Sequence, residues 1–219
     1  LIESSDSIRN LVFSGDLEYY ENGTTEKVET RTQTMSLGMR FQNGGLFDFN
    51  LTENFDRLTE DFQIRSDVSI PLGDYRYTSY GFRVQTNPSA GIGGSVDLGW
   101  GEFWAGTRKS LGGSLNVRPN YQVNLEVDYS HNRVELPTGQ FTTDLFGARL
   151  TYAFTSRAFL NAFVQYNADT HQLSSNIRFN IIHHPLSDLF IVYNDVRDTG
   201  RNVTASRALI VKFTNLFNF

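Results

Sequence analysis

Apolar and polar residues alternate along most of this chain with a period of two. The clearest run covers residues 121–130: Tyr121, Val123, Leu125, Val127 and Tyr129 take the odd positions, and Gln122, Asn124, Glu126, Asp128 and Ser130 the even ones. Successive side chains of a β-strand point to opposite faces, so this run predicts a strand with one apolar face, tipped by tyrosine at both ends, and one polar face. Met35, Leu37, Met39 and Phe41 alternate in the same way with Thr34, Ser36, Gly38 and Arg40. Ile92, Val96, Leu98 and Trp100 alternate with Gly93, Ser95, Asp97 and Gly99, and Leu111, Leu115 and Val117 with Ser110, Gly112, Ser114 and Asn116. Phe146, Ala148, Leu150, Tyr152 and Phe154 alternate with Gly147, Arg149 and Thr151; Ile177, Phe179 and Ile181 alternate with Asn176, Arg178 and Asn180. Residues 11–19, 47–51 and 80–84 repeat the pattern more briefly, while 158–166 and 189–196 are apolar on both faces in places. Helical periodicity is hard to find.

The runs amount to about twelve strands, many near the ~9 to 11 residues that a tilted membrane strand needs. Strands of soluble sheets are most often about 5 to 6 residues long. The expected fold is therefore all-β: an antiparallel up-and-down transmembrane β-barrel over residues 1–219. Twelve is an even set that can close alone, or can be the last strands of a larger barrel. The connections add to this. Those at 42–45, 87–91, 118–121, 154–157 and 183–187 look short and rich in Gly, Pro, Asn and Ser. The intervening ones, at 21–30, 57–73, 104–108, 133–139, 168–172 and 197–204, look longer or more polar. Short turns on one side and longer loops on the other are expected of outer-membrane barrels.

Composition changes the picture in a few places. No stretch approaches the ~18 to 20 apolar residues of a membrane helix. The mean hydropathy of −0.34 reads as soluble, but an alternating barrel strand has the same average. Aromatic residues make up 14%, with 18 Phe and 10 Tyr, which suits aromatic girdles at a membrane interface. Tyr19, Tyr20, Tyr75, Tyr77, Trp100, Trp104, Tyr129, Tyr152 and Phe154 lie near strand ends and are the girdle candidates; aromatics near Trp104 are also candidates for stacking on carbohydrate. There is no cysteine, so disulfides and thiolate metal sites are excluded. The net charge of −5 gives no reason to expect nucleic acid. The chain starts at Leu1 without a basic or apolar leader, so a signal peptide, and a whole upstream region, are expected to precede it.

The last run places Leu209, Val211, Phe213, Phe217 and Phe219 on one face and Ala208, Lys212, Thr214 and Asn218 on the other, with Ile210 and Leu216 as exceptions. A terminal aromatic preceded by alternating apolar residues resembles the C-terminal signal of outer-membrane proteins. Val211, Phe213, Phe217 and Phe219 would be what the barrel-assembly machinery reads, with the C-terminus periplasmic. The final third carries further phrases: residues 161–166 (NAFVQY), 174–180 (SSNIRFN), 185–194 and 207–212 (RALIVK). They resemble the C-terminal barrel of a family of outer-membrane proteins of unknown function from several Gram-negative phyla, whose members often carry an N-terminal carbohydrate-binding module of the family-nine type. The resemblance implies an outer-membrane location, a chain that is the C-terminal portion of a longer protein, and no established activity or functional residue.

Candidate chemistry is confined to the polar face. Arg40, Arg83, Asp97, Arg118, Glu126, Asp128, Arg149, Arg178 and Lys212 are expected to face the lumen, together with Asp16, Glu18, Asp48 and Asp144. The plain reading is a wall held by cross-strand ion pairs; the sharper one is a pore whose charges select solutes, against which the mixture of signs argues. His183 and His184 stand beside Pro185 in an expected periplasmic turn, too few for a metal site. No nucleophile elbow is present, and residues 91–94 (GIGG) are a turn entering a strand, not a dinucleotide fingerprint. No cofactor is expected. The first reading is a scaffold or conduit without catalysis. The second is a membrane anchor for an upstream carbohydrate- or protein-binding domain, and the third is a membrane hydrolase. Expected partners are outer-membrane lipid, the assembly machinery, and other envelope proteins or polysaccharide.

Overall fold

A computed structural model of the chain describes residues 7–216. Its elements are β1 (Ile8–Glu21), β2 (Val28–Phe41), β3 (Leu46–Leu58), β4 (Phe62–Arg65), β5 (Val68–Ile70), β6 (Gly73–Gln85) and β7 (Ile92–Phe103). They continue with β8 (Gly106–Asn120), β9 (Val123–Leu136), β10 (Gly139–Thr155), β11 (Ala158–Asn167), β12 (Gln172–His184), β13 (Ser187–Asp198) and β14 (Val203–Thr214). Twelve of these strands form one antiparallel sheet in chain order, β3 being followed directly by β6; β4 and β5 pair only with each other. The expected all-β, up-and-down arrangement is what forms. There is no helix among the described residues.

The chain divides into two units. The first comprises Leu1–Pro88, Ser95–Gly112 and His131–Thr142; the second comprises Ser89–Gly94, Gly113–Ser130 and Thr143–Phe219. Within the first unit the register carries the alternation across strands. Met35, Leu37 and Met39 of β2 lie opposite Leu51, Phe49 and Phe47 of β3, which lie opposite Tyr80, Phe82 and Val84 of β6. Within the second unit Ala162, Val164 and Leu160 of β11 oppose Ile177, Ser175 and Phe179 of β12. Ile177 and Phe179 then oppose Tyr193 and Ile191 of β13, which oppose Leu209 and Val211 of β14. A one-residue slip would turn every row over, so the continuous apolar rows fix the register.

The connections correct part of the expectation. The turns at Trp104–Ala105 and Pro137–Thr138, expected among the longer loops, are two-residue turns between strands that run on. The extra polar residues there belong to the strands β8 and β9, not to loops. The connection between β3 and β6 is long, as expected, but it holds the β4–β5 hairpin, which the alternation did not reveal.

Asp144 is a second correction. It has the same parity as Phe146, and the Tyr129 hydroxyl donates to its Oδ1 at 2.6 Å, with the Tyr129 and Phe146 rings 4.7 Å apart. Asp144 therefore closes the end of the apolar row and does not join the polar face.

Candidate functional site

Which face of these strands is covered decides what the sheet can do. In β7 the exposed positions are Ile92, Val96, Leu98, Trp100 and Glu102, while Ser95, Asp97 and Gly99 between them are half-buried. In β8 Leu111 and Leu115 are exposed, and Ser110, Gly112, Ser114 and Asn116 are half-buried. In β9 Leu125 and Val127 are 38% and 44% exposed, yet Glu126 and Asp128 are half-buried. The usual rule of globular proteins is inverted. The fully buried apolar side chains among the described residues are few: Phe55, Val68, Ile70, Val134 and Val192. No second layer covers Leu125 or Val127.

The exposed apolar belt has an edge. In β9 it runs from Val123 to Tyr129, six residue steps or about 20 Å along the strand, with Tyr121 exposed in the turn before it. Charged residues follow on the same face. In the first unit Arg31 and Glu53 are 3.6 Å apart, and Arg57 makes two 2.8 Å hydrogen bonds to Asp74. In the second, Arg207 meets Asp195 at 2.8 Å. Tyr80 and Trp100, stacked 5.8 Å apart, mark the last apolar row before this rim in β6 and β7.

The polar face of the first unit carries an ordered charged row. Asp48 lies opposite Gly38 and Arg83, and Arg83 lies opposite Asp97 and is ion-paired with it. Glycine at the two ends leaves room for the carboxylates: a Cβ on Gly38 would meet Asp48 Oδ1 at 2.7 Å, and one on Gly112 would meet Asp97 Cβ at 3.3 Å. Arg40 stands on the same face, exposed, across from Asn10.

The polar face of the second unit is built from amides and arginines. Asn116 donates to Asn124 Oδ1 at 2.9 Å, and Arg118 Nε donates to the same oxygen at 3.1 Å. Thr151 donates to Asn161, and Asn176 to Asn194. Asp128 lies against Gly147, where any side chain would collide with its carboxylate. Arg149 stacks on Phe163 at 5.2 Å and Arg178 on Phe190 at 5.3 Å. Lys212, opposite Phe190, is exposed. These contacts explain why 158–166 and 189–196 look apolar on both faces: Phe163 and Phe190 sit on the polar side as platforms for arginine. The nine charged residues expected on one face do share the polar parity of their strands. Val211 and Phe213 fall on the apolar face of β14, while Phe217 and Phe219 lie outside the described residues.

The aromatic candidates divide. Tyr19, Trp100, Tyr129, Tyr152 and Phe154 lie on the apolar face, as a girdle requires. Tyr20 lies on the polar parity of β1, opposite Thr30, and Tyr75 and Tyr77 on that of β6, opposite Asp56 and Asn54. Trp104 is enclosed by Phe103, Tyr77 and Phe62 at 4.5, 6.1 and 5.8 Å. With rings packed around it, Trp104 has little free face to stack on a sugar. Its Nε1 is buried with no hydrogen-bond partner among the described residues. His183 stacks on Phe213 at 5.2 Å and meets His184 edge-on at 5.3 Å, and no cluster of three or more metal-ligating side chains occurs among the described residues.

Fold and facing together define a class: an up-and-down antiparallel β-protein whose central strands β7, β8 and β9 leave their apolar face exposed and half-bury their polar one. No family model matches the chain, and no curated protein matches it in sequence. Among solved structures, one of the NanC porin in a rhombohedral crystal form is similar at 12% identity, covering 92% of this chain and 100% of that one, with a TM-score of 0.38.

Proposed function

We propose that this chain is an integral outer-membrane β-barrel, closed with its polar face inward, that acts as a conduit or scaffold and catalyses nothing. The observation that carries this reading is the inverted burial of β7, β8 and β9. In water each large apolar side chain left exposed forgoes about 1.5–3 kcal/mol of burial, and the face holds a long series of them. Lipid removes that cost. A sheet whose neighbours satisfy one another's backbone groups is one of the two structures that can cross a bilayer, provided its edges are closed. The wet face then encloses the charged rows, and the charged rim marks where the hydrocarbon ends.

Outer-membrane lipid is the partner of the apolar face in this reading. The assembly machinery recognises the end that contains Val211, Phe213, Phe217 and Phe219 from the periplasmic side. The resemblance of the final third would add an upstream carbohydrate-binding module, making the barrel its anchor; no residue of this chain speaks for that role. The hydrolase reading draws no support from any arrangement among the described residues.

The two tryptophans provide the test. In Trp104→Phe, the remaining Trp100 sits on the apolar face, 44% exposed. Its fluorescence is expected to be quenched when the protein is refolded into vesicles of lipids brominated along their acyl chains. In Trp100→Phe, the remaining Trp104 is expected to resist quenching. An unquenched Trp100, or a monomer that folds in plain buffer without detergent, overturns the proposal.

A further inference from the structure

The β4–β5 hairpin is too small to hold its own shape: its strands have four and three residues, and an isolated pair of strands is marginal in water even when longer. Its position is set by what it docks on. Ile70 is 1% and Val68 3% exposed, in a chain where few large apolar side chains are buried. A Cβ on Gly139 would lie 2.9 Å from Val68 Cγ2. The Thr138 hydroxyl donates to the Ser69 carbonyl at 2.6 Å. Arg65 lies over the Phe141 ring at 5.1 Å, and Phe62 packs on Trp104 at 5.8 Å.

These docking residues belong to the polar side. Trp104, on which Phe62 packs, rests on Tyr77 and Phe103, which share the polar parity of β6 and β7. The hairpin therefore does not extend the strands outward; it folds back across the far end of the wet face in the first unit. Its neck is fastened separately. Leu72 N donates to Asp61 Oδ1 at 2.9 Å, the Tyr75 hydroxyl donates to the Pro71 carbonyl at 2.7 Å, and Arg57 clasps Asp74. A firm neck and a largely apolar docked surface are what a hinged cap needs.

We propose that the β4–β5 hairpin is a cap on the polar face, and that ions and small hydrophilic solutes pass this end of the molecule only when it undocks. The inference rests on the polar face lining a water-filled path. It makes the conduit a gated one.

The test is a removable lock. The native chain has no cysteine. A Cβ at position 139 would stand 3.9 Å from Val68 Cβ, within the ~3.5–4.5 Å that a disulfide spans. In the double variant Val68→Cys, Gly139→Cys, oxidation is expected to cut open-channel current in planar bilayers by about tenfold or more, and reduction of the same protein to restore it. Val68→Asp places a carboxylate in the docked surface, where it loses its hydration, and is expected to raise the open fraction above that of the native protein. Equal current in the oxidised and reduced forms, with the disulfide confirmed by mass, overturns the proposal, as does failure of the disulfide to form. Absence of current in every variant overturns it too, and if Trp100 is still quenched by brominated lipid the membrane-barrel reading survives. An unquenched Trp100 overturns the barrel reading itself.

Discussion

Replacing Leu125 by arginine separates a lipid-facing wall from an ordinary sheet surface. Leu125 lies two residues from Val123, where β9 begins, and four from Tyr129 on the same face, about 7 and 13 Å along the strand. With a strand tilt of ~40° those are about 5 and 10 Å of depth, which in the proposed barrel puts Leu125 within the hydrocarbon. An arginine on the lipid face of a barrel costs about 2–4 kcal/mol at the midplane. The next residue, Glu126, points to the opposite side, and Glu126→Arg is expected to change stability by about 1 kcal/mol or less in either direction. The two variants introduce the same side chain one residue apart, so propensity and chain entropy nearly cancel between them. Guanidinium-induced unfolding from lipid vesicles, followed by the gel mobility of the folded form, gives both values. If Leu125→Arg proved as harmless as Glu126→Arg, or if it rendered the protein soluble and folded without detergent, the apolar face would not be in lipid and the reasoning would fail.

Two further perturbations probe the close approaches and the neck of the hairpin. Gly94→Ala should cost about 1–3 kcal/mol of unfolding free energy, because its Cβ would meet the backbone carbonyl of Ser114, which cannot yield without moving β8. Gly147→Ala should cost less in the same assay, since its Cβ meets only the Asp128 carboxylate, which can rotate away. At the neck, past the end of the apolar belt, the hydrogen bonds and charge of Arg57 hold the Asp74 carboxyl below the usual carboxylate range. A depressed folded value stabilises the clasp above the unfolded pKa, and that contribution is lost as pH falls through the folded one. Limited proteolysis within residues 59–72 by an acid-active protease should therefore rise below the ordinary aspartate range (pKa about 3.9). Asp74→Asn should flatten that dependence; an unchanged pH profile in Asp74→Asn would show that the clasp does not govern the neck.

The strands were legible because a sheet with one apolar and one polar face imposes a strict period of two. Residues 121–130 show it without a single exception, and β9 starts within them, at Val123. Where the pattern blurs, the cause is visible in side-chain pairs that no single strand reveals. Phe163 breaks the alternation of β11 because Arg149, on the neighbouring strand, needs a flat surface to lie on. Phe190 breaks that of β13 for Arg178, and Val192 beside it is buried on the same side. Asp144 was misassigned because it stands one step beyond the apolar row. Its parity with Phe146 places it on the apolar side, and the Tyr129 hydroxyl, fifteen residues away, holds it there.

The hairpin was not legible, and the reason bears on function. A strand of the sheet reports its environment locally, since its residues turn alternately to the apolar and the polar face. A segment that docks on the polar face has no such rule to obey, and its residues are chosen for particular neighbours: Val68 for the bare backbone at Gly139, Arg65 for Phe141, Phe62 for Trp104. Their fit depends on strands more than thirty residues away. The same logic explains why the turns at Trp104–Ala105 and Pro137–Thr138 look like loops in the sequence. The strands leading to them run past the exposed apolar belt and lose its alternation, and on their polar side they serve the hairpin instead. Irregular sequence past the belt is thus where the strands stop answering to the contrast between their two faces and start answering to whatever occupies their polar side. In the first unit that occupant is a piece of its own chain.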